Sequence, residues 1–150
     1  ETGTAFMGAI KSAVGIGSLL CDGIGDTIRV SLTAHPVEEV YTAYAILKAC
    51  GKREQGVNLI SCPTCGRCRI NLIEIATEVE RRLQNERRPL TVAVMGCAVN
   101  GPGEAREADV GIAGGDREGL LFRHGEVVRK VPMNELVDAL MELIDELPKE

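Results

Sequence analysis

With 150 residues, 45% of them hydrophobic and 26% charged, the chain can bury one sizeable core, or one compact domain plus a piece of another. No apolar run approaches the roughly eighteen residues needed to cross a bilayer, so no membrane span is expected. A net charge of −5, basic residues scattered among acidic ones, and only two Tyr and two Phe exclude the electrostatic footprint and stacking surface of a nucleic-acid binder.

The opening Glu1-Thr2-Gly3-Thr4 has neither Met nor the basic and apolar regions of a signal peptide, and reads as a cut through a longer protein. From about Thr4 the pattern predicts a helix to Cys21, ending at Gly23, where a residue without Cβ takes the left-handed cap conformation. Asp26 to Leu32 is expected to be a strand, and His35-Pro36 opens a second helix, with Pro at its first position and Glu38 and Glu39 in the first turn. Helix, strand and helix together make an αβα piece of a parallel sheet. The polar stretch Lys52-Arg53-Glu54-Gln55-Gly56 then breaks the chain into residues 1–52 and 53–150.

Beyond the break come a strand around Val57 to Ile60, a cysteine loop, and a helix from about Arg69 to Gln84 with Ile70, Ile73, Ala76, Val79 and Leu83 on one face. Arg67-Cys68-Arg69 is read as the start of that helix. Leu90 to Met95 reads as a buried strand leading into a Gly-rich loop, and Asp109 to Ala113 as a further short one. Leu120 to Arg123 should pair with Glu126 to Val131 across His124-Gly125. Asn134 is expected to cap a last helix whose apolar face uses Leu136, Val137, Leu140, Ile144 and Leu147.

Along Thr27 to Leu32, Ile28, Val30 and Leu32 share one face while Thr27, Arg29 and Ser31 share the other. A guanidinium fork and a hydroxyl near the end of such a strand suit an anionic ligand, because the fork matches phosphate geometry. The plainer reading pairs Arg29 with a carboxylate. Of the six cysteines, Cys21 and Cys50 sit in apolar helical stretches and read as buried core thiols. Cys62, Cys65 and Cys68 stand too close together for unstrained disulfides among most of them, so a shared metal fits better.

Two segments carry the strongest signal: Cys62-Pro63-Thr64-Cys65, and Gly96-Cys97-Ala98-Val99-Asn100-Gly101-Pro102-Gly103-Glu104. Each follows a predicted strand. Two thiolates from one loop and a third from another can hold three corners of a cubane cluster, and Glu104, beyond a Gly-Pro-Gly turn, can return a carboxylate to the remaining iron. Oxygen binds there more weakly than thiolate, which suits catalysis better than pure electron transfer.

These motifs, with Gly25 to Thr33 and the separation of Cys65 from Cys97, resemble those of the hydroxymethylbutenyl diphosphate synthase family over nearly the whole chain. The resemblance implies an α/β chain: the last αβα piece of a TIM barrel in residues 1–52, then a small mixed α/β [4Fe-4S] cluster domain in 53–150. It implies that Cys62, Cys65, Cys97 and Glu104 ligate the cluster, Arg29 and Ser31 bind the substrate's diphosphate, Asn100 lies near the substrate, and Glu1 lies near the reaction centre. It further implies reductive opening of a cyclic diphosphate, methylerythritol cyclodiphosphate, in non-mevalonate isoprenoid synthesis. Electrons would come from ferredoxin or flavodoxin, in a cytoplasmic homodimer, and the isolated piece would be inactive.

Other readings stay open. Cys68 is not required by the family pattern, and Cys62, Cys65 and Cys68 could alone hold three irons, leaving Cys97 structural. His35 stands where the family often has an acidic residue and reads as a neighbour of a helix cap. A structural zinc module using these thiols and a His is the competing class, although the third thiol stands alone and its motif partner is a carboxylate. A disulfide-linked redox or interaction domain is disfavoured by the spacing.

Overall fold

A computed structural model of the chain describes residues 3–98, 103 and 105–148, and resolves two compact units, Glu1–Glu54 and Gln55–Glu150. In the first unit, helix α1 (Ala5–Cys21) follows Thr4, and helix α2 (Pro36–Ala49) follows His35, whose Nδ1 accepts the Val37 backbone N–H at 3.4 Å. Both helices stop at a glycine for the same reason. Gly23 and Gly51 take positive φ angles of 77° and 63°; Gly23 and Ile24 donate their N–H groups to Leu20 and Leu19, and Gly51 and Lys52 donate theirs to Lys48 and Leu47. The last carbonyls of each helix are thereby paired without Cβ strain.

Between the helices, Val30 and Leu32 turn inward to join Leu20 and Ile46, while Arg29 is exposed and Ser31 half-buried. The segment from Asp26 to Leu32 is therefore an alternating chain but not the expected strand. Among the described residues an isolated parallel bridge between Thr4 and Thr33 lies just beyond the segment, and Leu32 gives its N–H to the Glu39 carboxylate at 2.9 Å. A strand needs a neighbour to pair its backbone groups, and the described residues provide none along Asp26 to Leu32.

The second unit is a five-stranded mixed sheet in the order β1-β2-β3-β4-β5. Strands β1 (Asn58–Ser61), β2 (Thr91–Met95) and β3 (Val110–Ala113) are parallel, while β4 (Glu118–Arg123) and β5 (Glu126–Pro132) continue antiparallel. Helix α3 (Leu72–Leu83) crosses from β1 to β2, and a 3-10 turn (Met133–Glu135) leads into α4 (Leu136–Asp145). The β2 and β3 runs are short, apolar and buried on both faces, as central parallel strands require. Val92, Val94, Val110 and Ile112 pack under α3 and α4, against Leu72, Val79, Leu136 and Leu140.

On the opposite face Ala93, Met95, Ala113 and Phe122 pack with Ala105 and Ala108. Gly111 lies beneath the Phe122 ring, where a Cβ would collide with both the ring and the Ala93 carbonyl. The hairpin turns on His124 (φ 47°) and Gly125 (φ 79°), the paired positive angles that match strand twist in a two-residue loop.

Three local expectations are corrected. Helix α3 begins at Leu72 after Asn71, not at Arg67 to Arg69, because residues 66–67 form a turn. Ile73 is 70% exposed: the buried stripe runs from Leu72 through Ile75, Ala76 and Val79 to Leu83, and Ile73 falls one position off it. Asn134 lies inside the 3-10 turn rather than capping α4, whose N-cap is Glu135 without a side-chain bond.

Candidate metal centre

Parallel pairing places Ser61 opposite Val94, so Cys62, one residue beyond β1, and Cys97, two residues beyond β2, leave the same carboxyl edge of the sheet. That edge is where open α/β sheets place their ligands. The loops are tied to each other there. The Gly96 N–H donates to Cys62 Sγ at 3.2 Å, and the Gly96 carbonyl accepts the Arg69 N–H at 2.9 Å. Gly114, just past β3, donates its N–H to the Met95 carbonyl at 2.8 Å and draws a third loop in. Gly96 must be glycine for this crossing, since a Cβ would stand 2.6 Å from Cys68 Sγ.

The four thiols of this region differ. Cys97 is buried at 8% exposure, Cys62 is half-buried, and Cys65 is exposed. The backbone N–H of Arg67, followed by its guanidinium, holds the Cys65 thiol below its ordinary range despite some desolvation. The thiolate so favoured is the form that binds metals. Cys68 instead packs beside the main core and donates its S–H to the Ile70 carbonyl at 3.2 Å.

The loop ends bearing Cys62 and Cys97 are adjacent, but among the described residues no three His, Cys, Asp or Glu side chains gather closely enough to hold a metal ion. Glu1, Asn100 and Glu104 lie outside the described residues. Arg29 and Ser31 belong to the first unit, where Arg29 has no carboxylate partner among the described residues. His35 caps α2 and His124 turns the hairpin. The reading of Cys21 as a buried core thiol is corrected: as the last residue of α1 it is exposed, and Cys50 is half-buried. Composition and motif alone did not reveal Gly96 as a sulfur-binding donor, although a Gly between a strand end and a Cys was the available signal.

This is a mixed α/β protein whose strand-end loops carry thiols at the edge where such sheets hold ligands. Residues 58–146 match the family model of the GcpE protein C-terminal domain, and residues 1–44 match that of the GcpE TIM-barrel domain. The chain belongs to the GcpE family. It is 65% identical over 147 residues to a Geobacter sulfurreducens protein named 4-hydroxy-3-methylbut-2-en-1-yl diphosphate synthase (flavodoxin), covering 98% of this chain and 42% of that protein. Proteins of the same name are 60% identical in Clostridium acetobutylicum, over 98% of this chain and 42% of the relative, and 59% identical in Geobacillus thermodenitrificans, over 100% and 40%. The chain thus spans about two fifths of the length of these relatives. Among the described residues no helix is long and apolar enough to cross a membrane.

Proposed function

We propose that this chain is the C-terminal part of a flavodoxin- or ferredoxin-dependent reductase that converts 2-C-methyl-D-erythritol 2,4-cyclodiphosphate to (E)-4-hydroxy-3-methylbut-2-enyl diphosphate. The observation that carries the reading is the Gly96 N–H bond to Cys62 Sγ at the shared edge of β1 and β2, in a chain 65% identical to a protein bearing the synthase name. The donor set fits an iron–sulfur group: soft thiols on two strand-end loops, backbone N–H donors directed at Cys62 and Cys65, and a buried Cys97.

In this reading Cys62, Cys65 and Cys97 supply three thiolates to a [4Fe-4S] cluster, and Glu104 supplies a more weakly held oxygen. When bound, such a cluster would supply the electron-transfer chemistry of a two-electron reduction. The chain's own residues do the rest. N–H bonds from Gly96 and Arg67 draw charge from the sulfurs and help set the potential. Arg29 and Ser31 hold the diphosphate through a charged fork and a hydroxyl. Asn100 would sit near the substrate, and Glu1 near the reaction centre. The cluster domain, residues 53–150, works against the barrel of a second subunit in a cytoplasmic homodimer, so the barrel piece in residues 1–52 does not complete an active site alone.

Anaerobic reconstitution with ferrous iron and sulfide tests this. We expect a brown protein with a broad visible band and matched iron and inorganic sulfide. A colourless protein that takes up one zinc would instead establish a structural zinc module.

A further inference from the structure

Cys21 is the last residue of α1 and Cys50 is the C-cap of α2. Both backbones are fixed by the glycine caps at Gly23 and Gly51, so neither sulfur hangs from a loose loop. The two helices pack together, with Gly17 of α1 facing Cys50. Cys50 Sγ lies 3.4 Å from where a Gly17 Cβ would stand, and it donates to the Gly17 carbonyl at 3.8 Å. Cys21 is four residues after Gly17, one turn along the same face of α1. The two thiols consequently meet: burial, and then the Cys21 thiol within hydrogen-bonding reach, push the Cys50 thiol up, against a smaller opposing effect of Lys52.

We propose that Cys21 and Cys50 form a dithiol that closes to a disulfide when it meets a small-molecule disulfide, a modification site that shares no residue with the strand-end cysteines of the second unit. Exposed Cys21 is the sulfur that the oxidant can reach. Its thiolate attacks one sulfur of the oxidant, the S–S bond of the oxidant breaks, and one small thiolate leaves and takes up a proton. Half-buried Cys50 then gives up its proton and attacks Cys21 Sγ in the mixed disulfide, releasing the second small thiol. Two protein thiols are oxidised and one small disulfide is reduced to two thiols. The product staples the C-terminal ends of α1 and α2. Thr4 and Thr33, which bridge at the start of α1, lie at the opposite end of that helix, about 25 Å away at 1.5 Å per residue.

The test uses the reduced full chain, freed of reductant under anaerobic conditions and exposed to hydroxyethyl disulfide, then alkylated and digested with trypsin. The peptide from Ser12 to Arg29 should appear linked to that from Ala49 to Lys52, with parallel loss of both free thiols and with the pairing randomised when the oxidant is added in urea. Recovery of both peptides fully alkylated from the native protein would overturn the proposal, as would linkage of either to Cys62, Cys65, Cys68 or Cys97. Cys50→Ala should trap Cys21 as a persistent mixed disulfide. Because Cys50 is half-buried and its replacement could loosen the helices, exposed Cys21→Ser provides a second arm: the Cys50 peptide must then be recovered without a bridge, and a bridge to any other cysteine counts against the pair.

Discussion

The two phenylalanines of the chain mark the difference between its two units. Phe122 is 0% exposed, between the sheet and Ala105 and Ala108, whereas Phe6 on α1 is 74% exposed. The second unit covers its central strands from within: α3 and α4 close one face, and the segment around Ala105 and Ala108 closes the other. The first unit joins Leu20, Val30, Leu32 and Ile46 into a small core and leaves Phe6, Val14 and Leu19 in solvent. Apolar faces of that size belong against other structure. The contrast matches the family assignment, since residues 1–44 correspond to a piece of a TIM barrel, whose helices and strands are covered by their neighbours around the ring.

The largest expected effect separates the cysteines of the two regions. Under anaerobic reconstitution, Cys97→Ser should lose essentially all cluster iron, whereas Cys21→Ser should retain it. Within the second unit the same contrast holds between Cys97 and Cys68, because the Cys68 thiol is engaged by the Ile70 carbonyl while Cys97 stands at the strand edge. Loss of iron in Cys68→Ser and its retention in Cys97→Ser would reverse the assignment and favour three irons held by the first cysteine loop.

Next come the phenylalanines themselves. Truncating a buried aromatic removes its transfer energy and leaves a cavity, so Phe122→Ala should lower the stability of the second unit by about 3–5 kcal/mol in urea unfolding. Phe6→Ala should change it by less than about 0.5 kcal/mol, while reducing self-association in sedimentation, because it removes the most exposed large apolar side chain on α1. Equal destabilisation by the two substitutions would overturn the contrast between the buried ring and the exposed one.

How far the sequence foretold these regions follows the same division. Thr91 to Met95 and the His124-Gly125 turn were legible because buried parallel strands and two-residue hairpins have local signatures that need no knowledge of the partner. Gly23 announced the end of α1 for the same reason. Asp26 to Leu32 shows the limit: alternation assigned its two faces, but strand pairing is a property of the neighbour, not of the segment. Ile73 was misplaced because i+3 and i+4 steps back from Ala76 lead equally to Ile73 and to Leu72, and it is Leu72, with Ile75, that packs on the sheet. At the candidate site the thiols were visible as letters. The Gly96 N–H was not, since a backbone donor to sulfur exists only once two strands are in register.

The smallest effect tests whether the self-sufficiency of the second unit reaches its periphery, where Arg88 joins the turn before β2 to the end of α4. Arg88 Nη1 donates to the carbonyls of Ile144 and Leu147 at 3.1 and 3.3 Å, placing a cation at a helix C-terminus. Glu86 holds that guanidinium in place, accepting from Nη2 at 2.6 Å and from the Arg88 backbone N–H at 2.9 Å. The hydrogen bond from the Arg88 guanidinium, outweighing partial desolvation, brings the Glu86 carboxyl down to about 2 from an ordinary 4.5. A depressed carboxyl stabilises the fold fully above its unfolded pKa and loses that contribution as pH falls through the folded value, so the window here runs from about 4.5 down to about 2. Glu86 and Arg88 are only 20% and 12% exposed, so solvent screens the pair less than a surface pair, and a contribution of about 1 kcal/mol is expected. Glu86→Gln should therefore be less stable than wild type by about that amount at pH 7, and the two unfolding curves should converge as pH approaches 2. Glu78 is brought equally low by Arg81 and Arg82, but its side chain is 33% exposed against 20% for Glu86, and Glu78→Gln should move the midpoint less. A deficit in Glu86→Gln that stays constant across the acid range would mean that shape, rather than charge, holds Arg88 against α4.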